Sequence, residues 1–438
     1  MPSIKKLRLF QLAAVIFLTV SGGPYGLEPL LTYAGPNGSL LLLLITPILW
    51  DIPAILAVLE MNSMMPVTGG YYQWVKRALG LRFALYEGWW TWLYTFVDLA
   101  IYPVLFVEYA SFLFPEIHQY KIYICLFMIW GCAILNIIGI VPVGKTAVVL
   151  GVLVLTPFVI LFGMAFYHHT GTYAVPGFSL KGVGFSSIGM GLYTVMWNFL
   201  GWDNATTYAE EVENPVRSYL YAVGIAFIAV MLIYSLTIFT ALQSGMKLET
   251  IVEENFASLG SFIGGKWLGT IIAFGGLAST FGIYSSVLLS VSRVPKVMAD
   301  DGFIPHHLNK LHVKFDTPYV SIITCSVVVS IMVLFTFGEL IVMDVTLYGA
   351  GLLLEFISLI VLRMKFPDEH RPFKIPLNVF GLCLMMLLPL SVYSVAMAGA
   401  FASSETIYIP LIGVLVIMVL AEGLWQLYRW RNRQDRMV

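Results

Sequence analysis

Apolar runs of about twenty residues or more follow one another along almost the whole of this 438-residue chain, and short polar stretches separate them. A run of about 20 apolar residues is what a helix needs to cross the hydrocarbon of a bilayer. The pattern predicts twelve spans, at about 10–34, 39–65, 83–113, 121–141, 145–169, 186–212, 218–242, 267–296, 318–337, 341–365, 374–399 and 405–428. The longest connections, about 20–25 residues, are too short for a folded soluble domain. The expectation is one polytopic all-α membrane domain over residues 1–438.

Two spans are interrupted. The first carries Ser21-Gly22-Gly23-Pro24-Tyr25-Gly26 near its middle, followed by Glu28. Glycine and proline weaken a helix there, and proline also removes a backbone donor. The sixth carries Trp197-Asn198-Phe199-Leu200-Gly201-Trp202-Asp203. Backbone groups freed inside a membrane must be satisfied by something other than lipid, so such breaks point to a buried cavity and to secondary transport. The first ten spans divide into two sets of five, about 10–169 and 186–365. An odd number of spans per set inverts the second against the first, so the breaks are expected to face each other. The last two spans, about 374–428, hold few polar residues and read as peripheral. Two connections are more than plain turns: 66–82 reads as a turn plus a short amphipathic stretch, and 243–266 as acidic, with room for a short helix.

Composition sharpens this picture. Only 11% of residues are charged, mean hydropathy is +0.86, and the net charge is −1. With the N-terminus placed in the cytoplasm, the even-numbered loops and both tails hold 20 of the 24 Lys and Arg, the exceptions being Lys121, Lys181, Lys247 and Lys266. Such an excess marks the cytoplasmic side, so both termini are expected there, in the cell membrane. Arg429, Arg431, Arg433 and Arg436 read as a juxtamembrane anchor, not a nucleic-acid surface. The four cysteines fall in apolar spans and read as packing residues.

Acids lie deep in the spans: Glu28, Asp51, Asp98, Asp203 and Glu355. Glu60, Glu87, Glu108 and Asp344 lie nearer span ends. An ionised side chain at mid-bilayer costs about 2.5–3.5 kcal/mol on insertion scales. Pairing with Lys or Arg is the usual remedy, but every Lys and Arg sits at a span end or in a loop. These acids are therefore expected to be protonated, hydrated in a cavity, hydrogen-bonded to freed backbone, or neutralised from outside the chain; the last is the functional reading, with an amine-bearing solute or a proton supplying the positive charge. Glu28, Asp98 and Asp203 are expected around one shared polar pocket. Tyr25, Trp197 and Trp202 belong to the broken segments and can cover an ammonium face-on. Asp51 and Glu355 are candidates for proton coupling, while Ser279 and Thr280 with freed carbonyls could instead hold sodium.

Other classes find no support. There is no Gly-x-x-x-x-Gly-Lys phosphate loop for ATP-driven transport. Histidines and cysteines show no zinc spacing, and no Gly-x-Ser-x-Gly elbow suggests an enzyme. No cofactor and no metal are expected.

The residues resemble the amino acid–polyamine–organocation superfamily of transporters. Four patches carry the likeness: Ser21 to Glu28, Pro66 to Tyr72, Trp202 to Pro215, and Ser292-Arg293 through Ala299-Asp300-Asp301-Gly302 to Pro305. The chain looks most like the polyamine–proton symporter branch in Gly22 to Glu28, in Asp98 with Tyr102 to Phe106, and in Trp197 to Asp203. It departs from that branch at Ala54, where an acid is usual, and in having no acid between Lys266 and Asp300.

The resemblance implies a five-plus-five inverted-repeat fold with solute bound between spans 1, 3, 6 and 8. It implies that Gly22, Gly23 and Tyr25 line the site and that Glu28, Asp98 and Asp203 meet substrate amines. Tyr102, Trp197, Asn198 and Trp202 would complete its walls. Two other readings stand beside a polyamine carrier. One is an amino-acid permease or exchanger of the same fold, although Pro24 removes an amide donor that a carboxylate would use. The other is an amine sensor that binds without transporting. The sequence is silent on partner subunits.

Overall fold

In the computed structural model, residues 6–168, 177–334, 337–402 and 408–434 are described. The basic positions Lys5 and Arg436 lie outside them. The protein is all-α; among the described residues β structure is limited to two isolated bridges, Leu7 with Val212 and Thr68 with Tyr208. The helices are α1 (Leu9–Val20), α2 (Glu28–Thr46), α3 (Ile52–Met64), α4 (Gly70–Leu79), α5 (Leu81–Leu113), α6 (Lys121–Ile138), α7 (Ile140–His168) and α8 (Phe185–Trp197). They continue with α9 (Pro215–Gln243), α10 (Leu248–Gly264), α11 (Lys266–Val291), α12 (Val294–Asp300), α13 (Tyr319–Met332), α14 (Phe337–Lys365), α15 (Val379–Phe401) and α16 (Tyr408–Gln434). Among the described residues eight helical segments are long and apolar enough to cross a membrane, and α1 and α13 are shorter apolar helices.

Both expected breaks are present, with boundaries that differ from the sequence pattern. After α1 the chain leaves helix over residues 21–27 and re-enters it at Glu28. That short helix is separated from the next span only by Gly35, whose φ of 64° and ψ of −176° are non-helical, with Pro36 following. Pro47–Asp51 then forms a π-helical turn. The second break is larger than expected. No α-helix continues beyond Trp197; residues 204–207 and 209–211 form 3₁₀ turns before α9 begins at Pro215. Asn, Gly and Asp within seven residues leave too little helix propensity to resume an α-helix. The junction expected at 142–144 lies instead at Gly139, so Lys145 falls inside α7.

Burial sorts the helices. The most apolar stretches of α5, α11 and α14 are 67%, 78% and 72% buried, against 33% for α6 and α7 and 22% for α15. The first three therefore form the centre, and α15 is peripheral as the sequence suggests. Phe274 on α11 is 54% exposed and points away from that centre.

The face of the bundle that carries Leu7 is closed by polar ties. Leu7 N–H donates to the Glu211 carbonyl (2.9 Å), and Gly69 N–H to the Thr207 carbonyl (2.8 Å). Lys76 on the amphipathic α4 pairs with Asp301 (2.6 Å), which also accepts from the Tyr72 hydroxyl (2.6 Å). Arg293, 2% exposed, pairs with Glu211 (3.0 Å) and donates to the Leu289 carbonyl. One acid near a span end has basic partners: Glu60 is paired with Arg363 and Arg371 and accepts from Ile375 N–H. Arg363 and Arg371 lie only about 300 residues further along, brought back by the α14 end and the loop after it.

Candidate functional site

The two breaks meet. Asn198 Nδ2–H donates to the Gly26 carbonyl (3.3 Å) and the Thr194 carbonyl (2.8 Å), so one side chain of the second break satisfies backbone in the first. The Trp197 ring lies against Gly26, where a Cβ would come within 2.7 Å of it. Gly22 has φ +60°, and a Cβ there would come within 2.3 Å of Ile283 and 2.7 Å of the Ser279 hydroxyl. Glycine is required on both counts: only it adopts this backbone freely, and only it admits α11 so closely.

Between the breaks lies a cavity of about 10 Å³, lined in part by Ser21, Tyr25, Tyr102, Trp197, Asn198 and Ser279. That is room for about one water molecule. Tyr102 and Trp197 are stacked across it, ring centres 6.4 Å apart and planes at 23°. Tyr25 donates to the Ile272 carbonyl (2.8 Å) and meets Tyr109 edge-on. The Ser279 hydroxyl has no hydrogen-bond partner, whereas Thr280 spends its own on the Gly276 and Leu277 carbonyls of α11.

The three acids expected to share one pocket do not. Each has its own surroundings. Glu28, at the start of α2, accepts from the Tyr109 hydroxyl (2.8 Å), from Gly26 N–H (2.7 Å) and from Phe256 N–H (3.4 Å). Its oxygens are taken up in tying the first break to α5 and α10. Asp98 accepts from the Tyr102 hydroxyl (2.6 Å), and the Trp197 ring is stacked on Tyr102 beside it. It stands behind the stacked pair. Asp203 accepts from the Tyr348 hydroxyl (2.8 Å) on α14 and lies within electrostatic reach of Glu355. Trp202 points elsewhere: its indole donates to Asp51 (3.2 Å) and its ring meets Phe227 on α9. Gly23, with φ +100°, lies against Val154 of α7.

Sequence reasoning passed over Asp344 and Glu87 because both fell near predicted span ends. Asp344 is fully buried on α14, neither of its oxygens has a hydrogen-bond partner, and it lies within electrostatic reach of Asp98. Helical spacing was the signal. Glu87, Thr91, Tyr94, Asp98 and Tyr102 recur at three- and four-residue steps, which places them on one face of α5. Asp344, Tyr348 and Glu355 do the same on α14, and α5 and α14 are packed together. Among the described residues none of Glu28, Asp51, Asp98, Asp203, Glu355 or Asp344 forms an ion pair. What the arrangement can do is hold cationic groups or protons within the bilayer, beside a cavity walled by rings.

A helical membrane bundle with two touching helix breaks around a small ring-walled cavity has the form of a permease. The amino acid permease family profile matches residues 7–419, and the chain belongs to that family. It is a multi-pass secondary transporter of amine-bearing solutes. Polyamine transporter RMV1 of Arabidopsis thaliana is 34% identical over 97% of this chain and 86% of its own length. A probable polyamine transporter of the same plant is 33% identical over 94% of this chain and 85% of its own. Polyamine transporter PUT1 of Oryza sativa subsp. japonica is 29% identical over 90% and 74%.

Proposed function

We propose that this protein imports polyamines by proton-coupled alternating access, across the cell membrane, with both termini in the cytoplasm. The observation that carries this reading is the pair Asp98 and Asp344. Two buried carboxyls on facing helices, near each other and without a basic partner among the described residues, suit a substrate bearing two or more ammonium groups. A single amine would leave one of them bare, at the cost of a buried unpaired polar group. The printed names of the relatives agree with the cargo.

Twelve spans, the first ten in two inverted sets of five at about 10–169 and 186–365, would let one bundle rock against the other around the breaks. Closure on both sides of the cavity corresponds to an occluded state. The Lys76–Asp301 and Arg293–Glu211 ties hold the face that bears Leu7, and Glu28 holds α10 at the other end. When Tyr102 and Trp197 part, an ammonium reaches Asp98 and the rings cover it. Gly22, Tyr25, Asn198 and Ser279 line the path.

Counterflow of radiolabelled spermidine in proteoliposomes tests this. Spermidine and putrescine are expected to compete and an amino-acid panel not to. Competition by amino acids alone would transfer the same fold to an amino-acid cargo, and binding without counterflow would make it a sensor.

A further inference from the structure

Glu87, Asp203 and Glu355 take no part in lining the cavity. They come from α5, the second break and α14, and none is more than 3% exposed. Asp203 and Glu355 lie within electrostatic reach of each other. Two buried carboxyls so near each other and without a basic partner cannot both ionise cheaply, so the pair is best served when one carries a proton. One oxygen of Glu355 and one of Glu87 have no hydrogen-bond partner.

A phenol supplies an independent sign of a missing occupant. The Tyr71 hydroxyl on α4 is fully buried and unpartnered, and it lies within electrostatic reach of Asp203, Glu87 and Glu355. The other polar groups facing the cluster are Tyr348, which donates to Asp203, Thr91, which donates to Glu87 (3.2 Å), and Tyr94, which donates to Asn204 (3.3 Å) and lies within electrostatic reach of both Asp203 and Asp344. No Lys, Arg or His among the described residues pairs with any of the three acids.

The occupant must be small and positive. Among the described residues no three His, Cys, Asp or Glu converge as metal ligands. A proton needs only one donor–acceptor pair, and Asp203 with Glu355 is such a pair. Gly351 makes room for the third acid, since a Cβ there would come within 3.1 Å of Glu87 Oε1.

We propose that Glu87, Asp203 and Glu355 form a proton-holding site, separate from the substrate cavity and joined to it through Tyr94 and Asp344 along the α5–α14 seam. The proposal rests on the transporter reading above and names where its coupling proton resides. Loading adds one proton to the Asp203–Glu355 pair. Release breaks one carboxyl O–H bond, gives the proton to water when the bundle opens, and leaves both groups as carboxylates. Glu87 is the neighbouring acceptor, and Asp344 passes the charge state of the site to Asp98.

The test compares full-length wild type with Glu355→Gln and Glu87→Gln in proteoliposomes. Spermidine counterflow needs no net proton movement and should stay within about two-fold of wild type in both variants. Accumulation of spermidine driven by a pH gradient should fall about ten-fold or more in Glu355→Gln. Infrared spectroscopy of the purified protein at neutral pH should show a protonated-carboxyl band that Glu355→Gln loses. Undiminished gradient-driven accumulation in both variants, or an unchanged band, would overturn the proton site. Wild type that shows no counterflow with any amine would remove the transport reading instead, and the infrared band would then decide the proton site alone.

Discussion

The Tyr109 hydroxyl donates to Glu28 Oε1 across 2.8 Å, joining the C-terminal end of α5 to the first break. The same carboxylate takes Gly26 N–H and Phe256 N–H, so three separate chain segments converge on one acid. Glu28 thus caps freed backbone in a place where lipid could not. Glu28→Gln keeps the shape but puts an amide where acceptors are needed. It should cost about 1–3 kcal/mol of stability, the usual penalty of leaving buried donors unpaired. A thermal-unfolding scan in detergent, read by labelling of the buried cysteines, should show the lowered midpoint, with spermidine affinity changed far less than by Asp98→Asn.

Asp98 and Asp344 are predicted to share the work of binding. Removing one partner of a buried charge pair costs about 2–5 kcal/mol, or at least about 30-fold in Kd. Asp98→Asn should therefore lose spermidine binding by that factor while the protein stays monodisperse. Asp344→Asn should lose the preference for diamines over monoamines. Equal competition by butylamine and putrescine in wild type would remove Asp344 from the site.

Gly22 is where the break is least tolerant. Alanine there meets Ile283 and Ser279 and must also hold φ near +60°. A non-glycine residue in that region costs about 1–2 kcal/mol before any clash. Gly22→Ala should abolish counterflow and lower the unfolding midpoint. Ile283→Ala in the same chain should restore stability only in part, because it relieves the contact and not the backbone.

Glu60 tests the opposite case, an acid that is already neutralised. Arg363→Ala leaves it with Arg371 alone, and breaking a buried pair costs about 3–5 kcal/mol. A large loss of folded yield is expected. Glu60→Met combined with Arg363→Met should recover much of it, since apolar replacement of both partners removes the unpaired charge. Gradient-driven uptake per folded molecule should be unchanged in the double variant.

Much of the fold was legible because it depends on local chemistry. Glycine, proline and asparagine in an apolar run stop a helix wherever they occur, so the breaks at 21–27 and 198–203 could be located from composition alone. The amphipathic α4 was legible in the same way, with Lys76 and Arg77 on one face. The extent of the second break was not, because 3₁₀ turns over 204–211 depend on contacts made far away, such as Thr207 with the Ser290 carbonyl.

Within the site, the sequence by itself determined that negative side chains lie at membrane depth with few basic neighbours, and that Tyr25, Trp197 and Asn198 sit beside flexible backbone. Hydropathy and residue type suffice for that. Only the tertiary structure decided what each acid faces. Rotation of a helix by one residue is about 100°, and no local pattern sets it for an inner helix that is apolar all round. So Glu28 went to Tyr109, Trp202 to Asp51, and Asp203 to Glu355, while Asp344 came to stand near Asp98 from 246 positions away.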